Sequence, residues 1–232
     1  AGDNAARMKF EAMADEALYR ISGRVDLHLS LLRSTKGLFE ISNGIVPSVA
    51  FRRYFEALDI DRDYAGLRGI GFLRLARSAE EIAAAEAEIG LQHGIETRVY
   101  PATTETIRTP IVLYEPLDPA NSAALGYDMY SDPDRRAAID ATLASGQPAA
   151  TGLLQLGKNT GGTTFPGFLI FQRLDDLDLR SRGTAADAAP GGLLYVSYRS
   201  GDLFNAALAR TPILPLNLEI RDSAAEGADL VF

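Results

Sequence analysis

Cysteine is absent from all 232 residues, which removes disulfide frameworks, thiolate zinc sites and cysteine nucleophiles together. Histidine occurs only twice, at His28 and His93, so a multi-histidine metal centre is excluded and no metal or other cofactor is expected. Basic side chains are outnumbered, 23 against 31 acidic ones, for a formal net charge of −8. A phosphate-binding surface needs a basic excess, which argues against nucleic acid as a partner. No stretch approaches the ~20 continuous apolar residues that a membrane span requires, and no charged-then-apolar leader opens the sequence. The sequence begins at Ala1 without a methionine and stops at Phe232 inside an apolar run. Both ends read as boundaries within a larger protein.

What is present is ordinary for a folded globular chain, with 47% hydrophobic residues and mean hydropathy near zero. Leu18, Ile21, Val25, Leu29 and Leu32 recur at spacings of three and four, the apolar stripe of one long helix. At ~35 residues it is roughly three times the usual globular length, which suits a dimer spine or a helix lying along its own domain. Asn43-Gly44 and Pro47 end it, and Ser48 is placed to cap a second helix through Leu58.

From Leu67 the texture changes. Residues 67–76 read as a strand, and Ser78 with Glu81 forms a capping box for a helix ending near Gly90 or Gly94. Strands are expected at 96–100 and 111–114, and Asp132-Pro133 starts a helix that Gly146 stops. Two antiparallel strands at 149–156 and 166–173 are joined by the turn residues 157–162. Residues 175–190 read as an exposed loop, 191–198 as a strand, 200–210 as a helix and 214–221 as a closing strand. The order is that of an α+β fold with a mostly antiparallel sheet.

Catalytic motifs are missing. The glycine-rich turn at 157–162 lacks the Gly-Lys-Ser/Thr ending and the following helix of a P-loop. Asp132 and Asp134 are explained by helix capping, and no calcium loop surrounds them. No Gly-x-Ser-x-Gly elbow occurs, and neither histidine lies in a catalytic setting.

One block stands out: Tyr114-Glu115-Pro116-Leu117, then Asn121, then Leu125-Gly126-Tyr127-Asp128 with Arg135-Arg136-Ala137-Ala138-Ile139 and the stop at Ser145-Gly146. It resembles the CHASE sensor domain of transmembrane receptors. Three outlying pieces fit the same pattern: Phe51 to Leu58 with Gly66 to Phe72, the apolar strand Gly167 to Phe171, and Gly192 to Arg199 running into Asp202-Leu203. The resemblance spans about residues 30–210.

It implies a long N-terminal helix followed by tandem PAS-like subdomains. Their expected bounds are 1–62 for the helical entry, 63–200 for a membrane-distal ligand-binding subdomain, and 201–232 for a membrane-proximal one that looks incomplete. It further implies a periplasmic or extracytoplasmic domain of an inner-membrane protein, held between transmembrane helices outside this chain. Such a domain signals to a cytoplasmic histidine kinase or nucleotide cyclase, has no enzymatic activity of its own, and pairs as a homodimer through the N-terminal helix. The implied ligand is a small molecule of unknown identity; in the related plant cytokinin receptors it is an adenine-type hormone. By the Leu-Gly-Tyr-Asp match, the aspartate that accepts hydrogen bonds from the purine there corresponds to Asp128.

The residues themselves fit such a pocket. Asp128 sits at a strand-to-helix junction among Tyr114, Tyr127 and Tyr130, where a buried acceptor would discriminate between ligands. Phe168, Ile170 and Gln172 share one face of the hairpin strand. Thr151 and Leu153 match the strand whose backbone contacts ligand in the plant receptors, and Leu193, Tyr195 and Ser197 come from the last strand. Gln172 stands where those receptors carry an aromatic, so cytokinin itself is not implied. Two other readings compete: a partner-binding module without a small-molecule pocket, and a soluble hydrolase built on Asp128 and Glu115.

Overall fold

Helix α1 (Gly2–Ile41) spans 40 residues and opens the fold. The structure is a computed structural model and describes residues 2–119, 121–157, 163–175, 191–210 and 212–222. Asn43 and Gly44 end α1 with left-handed backbone, φ 53° and 69°, and the Gly44 N–H donates to the Phe39 carbonyl at 2.7 Å. The elements that follow are α2 (Ser48–Ala57), α3 (Ile60–Asp63), β1 (Leu67–Arg74), α4 (Ala79–His93), β2 (Ile111–Glu115), α5 (Pro133–Ser145), β3 (Ala149–Ala150), β4 (Leu154–Leu156), β5 (Phe165–Arg173), β6 (Gly192–Arg199) and α6 (Ser200–Leu208). Among the described residues all strand pairings are antiparallel, in the order β2-β1-β6-β5-β3 with β4 also on β5. The fold is α+β: a long N-terminal helix and one antiparallel sheet.

Several expected features differ in detail. Ser78 accepts the Glu81 N–H and Asp132 accepts those of Asp134 and Arg135, but Ser48 caps nothing. Its N–H and hydroxyl instead donate to Gln92 Oε1 and the Gln92 carbonyl at 2.7 and 2.9 Å, tying the start of α2 to the end of α4. The strand expected at 96–100 reduces to one bridge between Tyr100 and Tyr127, because Pro101 lacks the N–H a ladder would need next. The strand expected at 149–156 is divided into β3 and β4. Leu153 donates its N–H to Asp222 at 2.9 Å rather than to a neighbouring strand. Residues 214–220 form no strand; Pro212 and Pro215 supply no ladder donors. The turn at 158–162 and the loop at 176–190 lie outside the described residues, as do residues 211 and 223–232 of the segment expected as a proximal subdomain.

The sheet separates two layers. Cross-strand partners share a face, so Phe72, Leu194, Val196, Tyr198 and Phe168 form one side. Helix α1 lies there, with Phe39 on Phe72 at 4.7 Å and His28 edge-on to Tyr198 at 5.0 Å between ring centroids. The lower half of α1 is fixed differently. Arg20 is buried, and its guanidinium donates to the Arg210 and Pro212 carbonyls at 2.8 and 2.9 Å while pairing with Glu16. The start of the chain is thereby stitched to the segment after α6.

The apolar stripe of α1 divides accordingly. Leu31, Leu32 and Phe39 are buried on the sheet, whereas Leu18 is 63% and Tyr19 74% exposed. Val25, one heptad beyond Leu18, is also open.

Candidate functional site

On the other face of the sheet, glycines make room for aromatic rings. Gly71 pairs with Tyr114 of β2 on one side and Tyr195 of β6 on the other. The two rings lie nearly parallel, 9° apart with centroids at 6.1 Å. A Cβ at Gly71 would fall 2.1 Å from the Tyr195 ring, and one at Gly69 would fall 2.4 Å from the Tyr114 hydroxyl. Both rings can lie flat on the sheet only because these strand positions lack side chains. Gly71→Ala is therefore expected to displace Tyr195 and to destabilise the domain by about 1–3 kcal/mol, read from urea unfolding; an unchanged midpoint would show that the ring can move without penalty.

A register shift between β1 and β2 completes the wall. Gly71 pairs with Tyr114 but Leu73 pairs with Ile111, so β2 carries one extra residue and Ile111 turns to the same face as Tyr114. Helix α5 and the segment leading into it stand opposite. Between them and the sheet is a cavity of about 440 Å³, lined among others by Arg68, Ile111, Tyr114, Asn121, Tyr127, Met129, Arg135, Phe165, Leu169, Tyr195, Ser197 and Arg199. That volume lies within the ~300–1,000 Å³ of small-molecule sites.

The cavity combines apolar walls with few polar groups. Burial pushes the Tyr195 phenol well above its ordinary range. Burial also raises Tyr114, opposed by a hydrogen bond with Ser197. Both phenols thus stay neutral hydroxyls around pH 7, able to donate or accept. Arg135, from the first turn of α5, pairs with Asp132 at 3.0 Å and lies 6.0 Å from the Tyr127 ring.

Of the residues singled out from sequence, Tyr114, Tyr127, Tyr195 and Ser197 line this cavity. Asp128 does not. Its side chain is fully buried and accepts from the Arg108 Nε, the Thr109 N–H at 2.7 Å and the Tyr130 N–H at 3.1 Å. Tyr130 donates its hydroxyl to Asp140 at 2.8 Å. Phe168 stacks on Tyr198 at 5.1 Å and Ile170 pairs with Val196, which puts both on the α1 side of the sheet. The Gln172 amide donates to the Gly146 and Arg173 carbonyls. Thr151 bonds across to Leu169 and to Gly152, Leu153 is tied to Asp222, and Leu193 is packed in the core beside Leu73. Glu115 is buried, held by Arg52 at 3.2 Å, and also lies off the cavity.

Leu169 and the arginines were missed by sequence reasoning. The strand β5 reads as apolar on both faces, so its parity was invisible. The alternation Tyr195, Ser197, Arg199 did carry the signal for Arg199.

The profile of the CHASE domain family matches residues 46–232. The chain belongs to the CHASE domain family. CHASE domains are extracytoplasmic sensor modules of receptors, and their role is sensory rather than catalytic. No curated protein matches the sequence. The match begins just after α1 ends and takes in the six strands of the described residues, so the CHASE region contains both walls of the cavity. Among the described residues no helix is long and apolar enough to cross a membrane.

Proposed function

We propose that this CHASE domain senses a small molecule in the cavity between the sheet and α5, and that the full receptor passes the signal to a cytoplasmic histidine kinase or nucleotide cyclase. The observation that carries this reading is the 440 Å³ space floored by the stacked Tyr114 and Tyr195. A core-only role would not leave glycines at 69 and 71 and then lay two tyrosines over them without filling the remaining volume. On this reading residues 63–200 are the ligand-binding, PAS-like unit and the domain is periplasmic, anchored by flanking membrane helices.

The test is a thermal-shift screen of the purified chain against amino acids, organic acids and adenine derivatives, with Leu169→Trp as a cavity-filling control. A ligand at a hundred times its Kd adds ~2.7 kcal/mol of stability. A hit that disappears in Leu169→Trp supports the cavity. A hit that survives it, or binding only to a protein partner, favours the interaction-module reading instead.

Signalling is proposed to run through paired α1 helices. Leu18 and Val25 stand seven residues apart on the open part of α1, the step that brings a residue back to the same seam of a coiled coil. A ligand can shift the arrangement of two helices only by binding one state more tightly than the other. The double variant Leu18→Asp/Val25→Asp is expected to move the chain from dimer to monomer in sedimentation velocity. A wild-type chain that is monomeric at every concentration tested would remove this route.

A further inference from the structure

We infer that the ligand of this cavity is an organic anion, an apolar body carrying a carboxylate-type head; this rests on the sensing role proposed above and names the chemistry it recognises. Among the described residues, the charged ones lining the cavity are three arginines, Arg68, Arg135 and Arg199, against one carboxylate, Asp118. That balance is opposite to the chain as a whole, whose formal net charge is −8.

The arginines are not equivalent. Arg135 is matched by Asp132, yet its Nε is buried without a hydrogen-bond partner among the described residues. Arg68 of β1 and Arg199 of β6 come from paired strands at the same end of the sheet. Each guanidinium carbon lies 5.5 Å from the centroid of the same ring, Phe165, and neither forms an ion pair with a described residue. Two cations brought to one ring without a counter-charge repel each other, and an anion between them removes that repulsion and accepts their N–H groups as a fork. The remaining walls, Ile111, Met129, Leu156 and Leu169, suit an apolar body. A neutral flat base could lie on the tyrosines but would leave both guanidiniums uncompensated, and a cation would be repelled.

The experiment uses two dyes of one skeleton, anionic 1-anilinonaphthalene-8-sulfonate and neutral N-phenyl-1-naphthylamine, titrated into the whole chain by fluorescence. The expected result is one sulfonate dye per chain, bound at least ~tenfold more tightly than the neutral dye. Arg68→Gln/Arg199→Gln should close that gap, while Arg33→Gln on α1 leaves it unchanged. Benzoates should displace the dye and benzamides should not. Arg68 and Arg199 are exposed, so the double variant keeps its fold, checked by an unchanged melting temperature. Equal binding of both dyes, or a gap that survives in the double variant, overturns the anion assignment and leaves the sensing cavity standing. Binding of neither dye overturns the cavity reading together with this one.

Discussion

Asp128→Ala is expected to destabilise the ligand-free domain by about 3–5 kcal/mol, the usual consequence of stranding one half of a buried ion pair. In a chain of this length that corresponds to a fall of roughly 6–20 °C in melting temperature. The carboxylate organises a region that has almost no regular structure. One oxygen receives the Arg108 Nε, and the other receives the backbone N–H groups of Thr109 and Tyr130. The backbone around it is joined in the same way, with the Asp128 N–H on the Tyr100 carbonyl at 2.7 Å and the Met129 N–H on that of Thr109 at 3.2 Å. Arg108 reaches on to the Pro101 carbonyl at 2.5 Å. Three strings of chain near residues 100, 109 and 129 therefore meet at one side chain. Asp128→Asn should be nearly as damaging, because its amide would turn a donor toward Arg108 or toward the two N–H groups. Arg108→Leu added to Asp128→Ala should recover part of the loss, since it removes the unpaired cation. Urea unfolding of the wild type, Asp128→Ala, Arg108→Leu alone and the double variant gives the coupling directly. A loss below ~1 kcal/mol for Asp128→Ala would mean that the pair is solvated and does not organise the loops.

The same residue shows what the sequence did and did not disclose. It stands apart in the sequence because no α-helix starts directly after it as one does after Asp132; in the structure it caps the 3-10 turn Met129–Ser131 through the Tyr130 N–H. Its role was not legible in the sequence, since the partner Arg108 lies in an irregular stretch where no periodicity predicts a contact. Helices were read well wherever caps and stripes act locally: Gly44, Gly94 and Gly146 end three of them with positive φ. On β6 the alternation of Tyr195 and Ser197 places both on the cavity face. Strand parity was misread on β5, whose Phe168 and Ile170 face α1 while Leu169 faces the cavity. A strand apolar on both sides gives no clue to which side is which. The stripe of α1 likewise held two functions in one pattern. Leu32 belongs to the sheet and Leu18 to open surface, because at the level of Leu18 it is Ala17 and Arg20 that are buried, with Arg20 turned to the segment after α6.

Below pH 6.5 the domain should lose stability through His28, by about 2 kcal/mol at pH 5 and about 3 kcal/mol once the pH is under 4. His28 is 2% exposed, between the rings of Tyr64 and Tyr198 at 5.7 and 5.0 Å. Neither ring nitrogen has a hydrogen-bond partner among the described residues. Burial, with the Arg24 cation adding to it, lowers its pKa from 6.5 to about 4. The folded protein thus holds a neutral imidazole between those two values, where the unfolded chain takes up a proton. Stability contributed by the neutral ring is complete above 6.5 and falls as the pH drops toward 4. Carboxylates titrate in the same window, so the measurement is a difference. His28→Phe keeps an aromatic edge against both tyrosines and has no proton to bind. Urea unfolding of both proteins at pH 7, 6 and 5 should show the variant gaining on the wild type by about 2 kcal/mol across the series. The gain arises at the contact between α1 and the sheet, so limited proteolysis of α1 should accelerate in the wild type alone as the pH falls. Parallel curves for the two proteins would show that His28 ionises freely in the folded state, and that α1 opens enough to let water reach it.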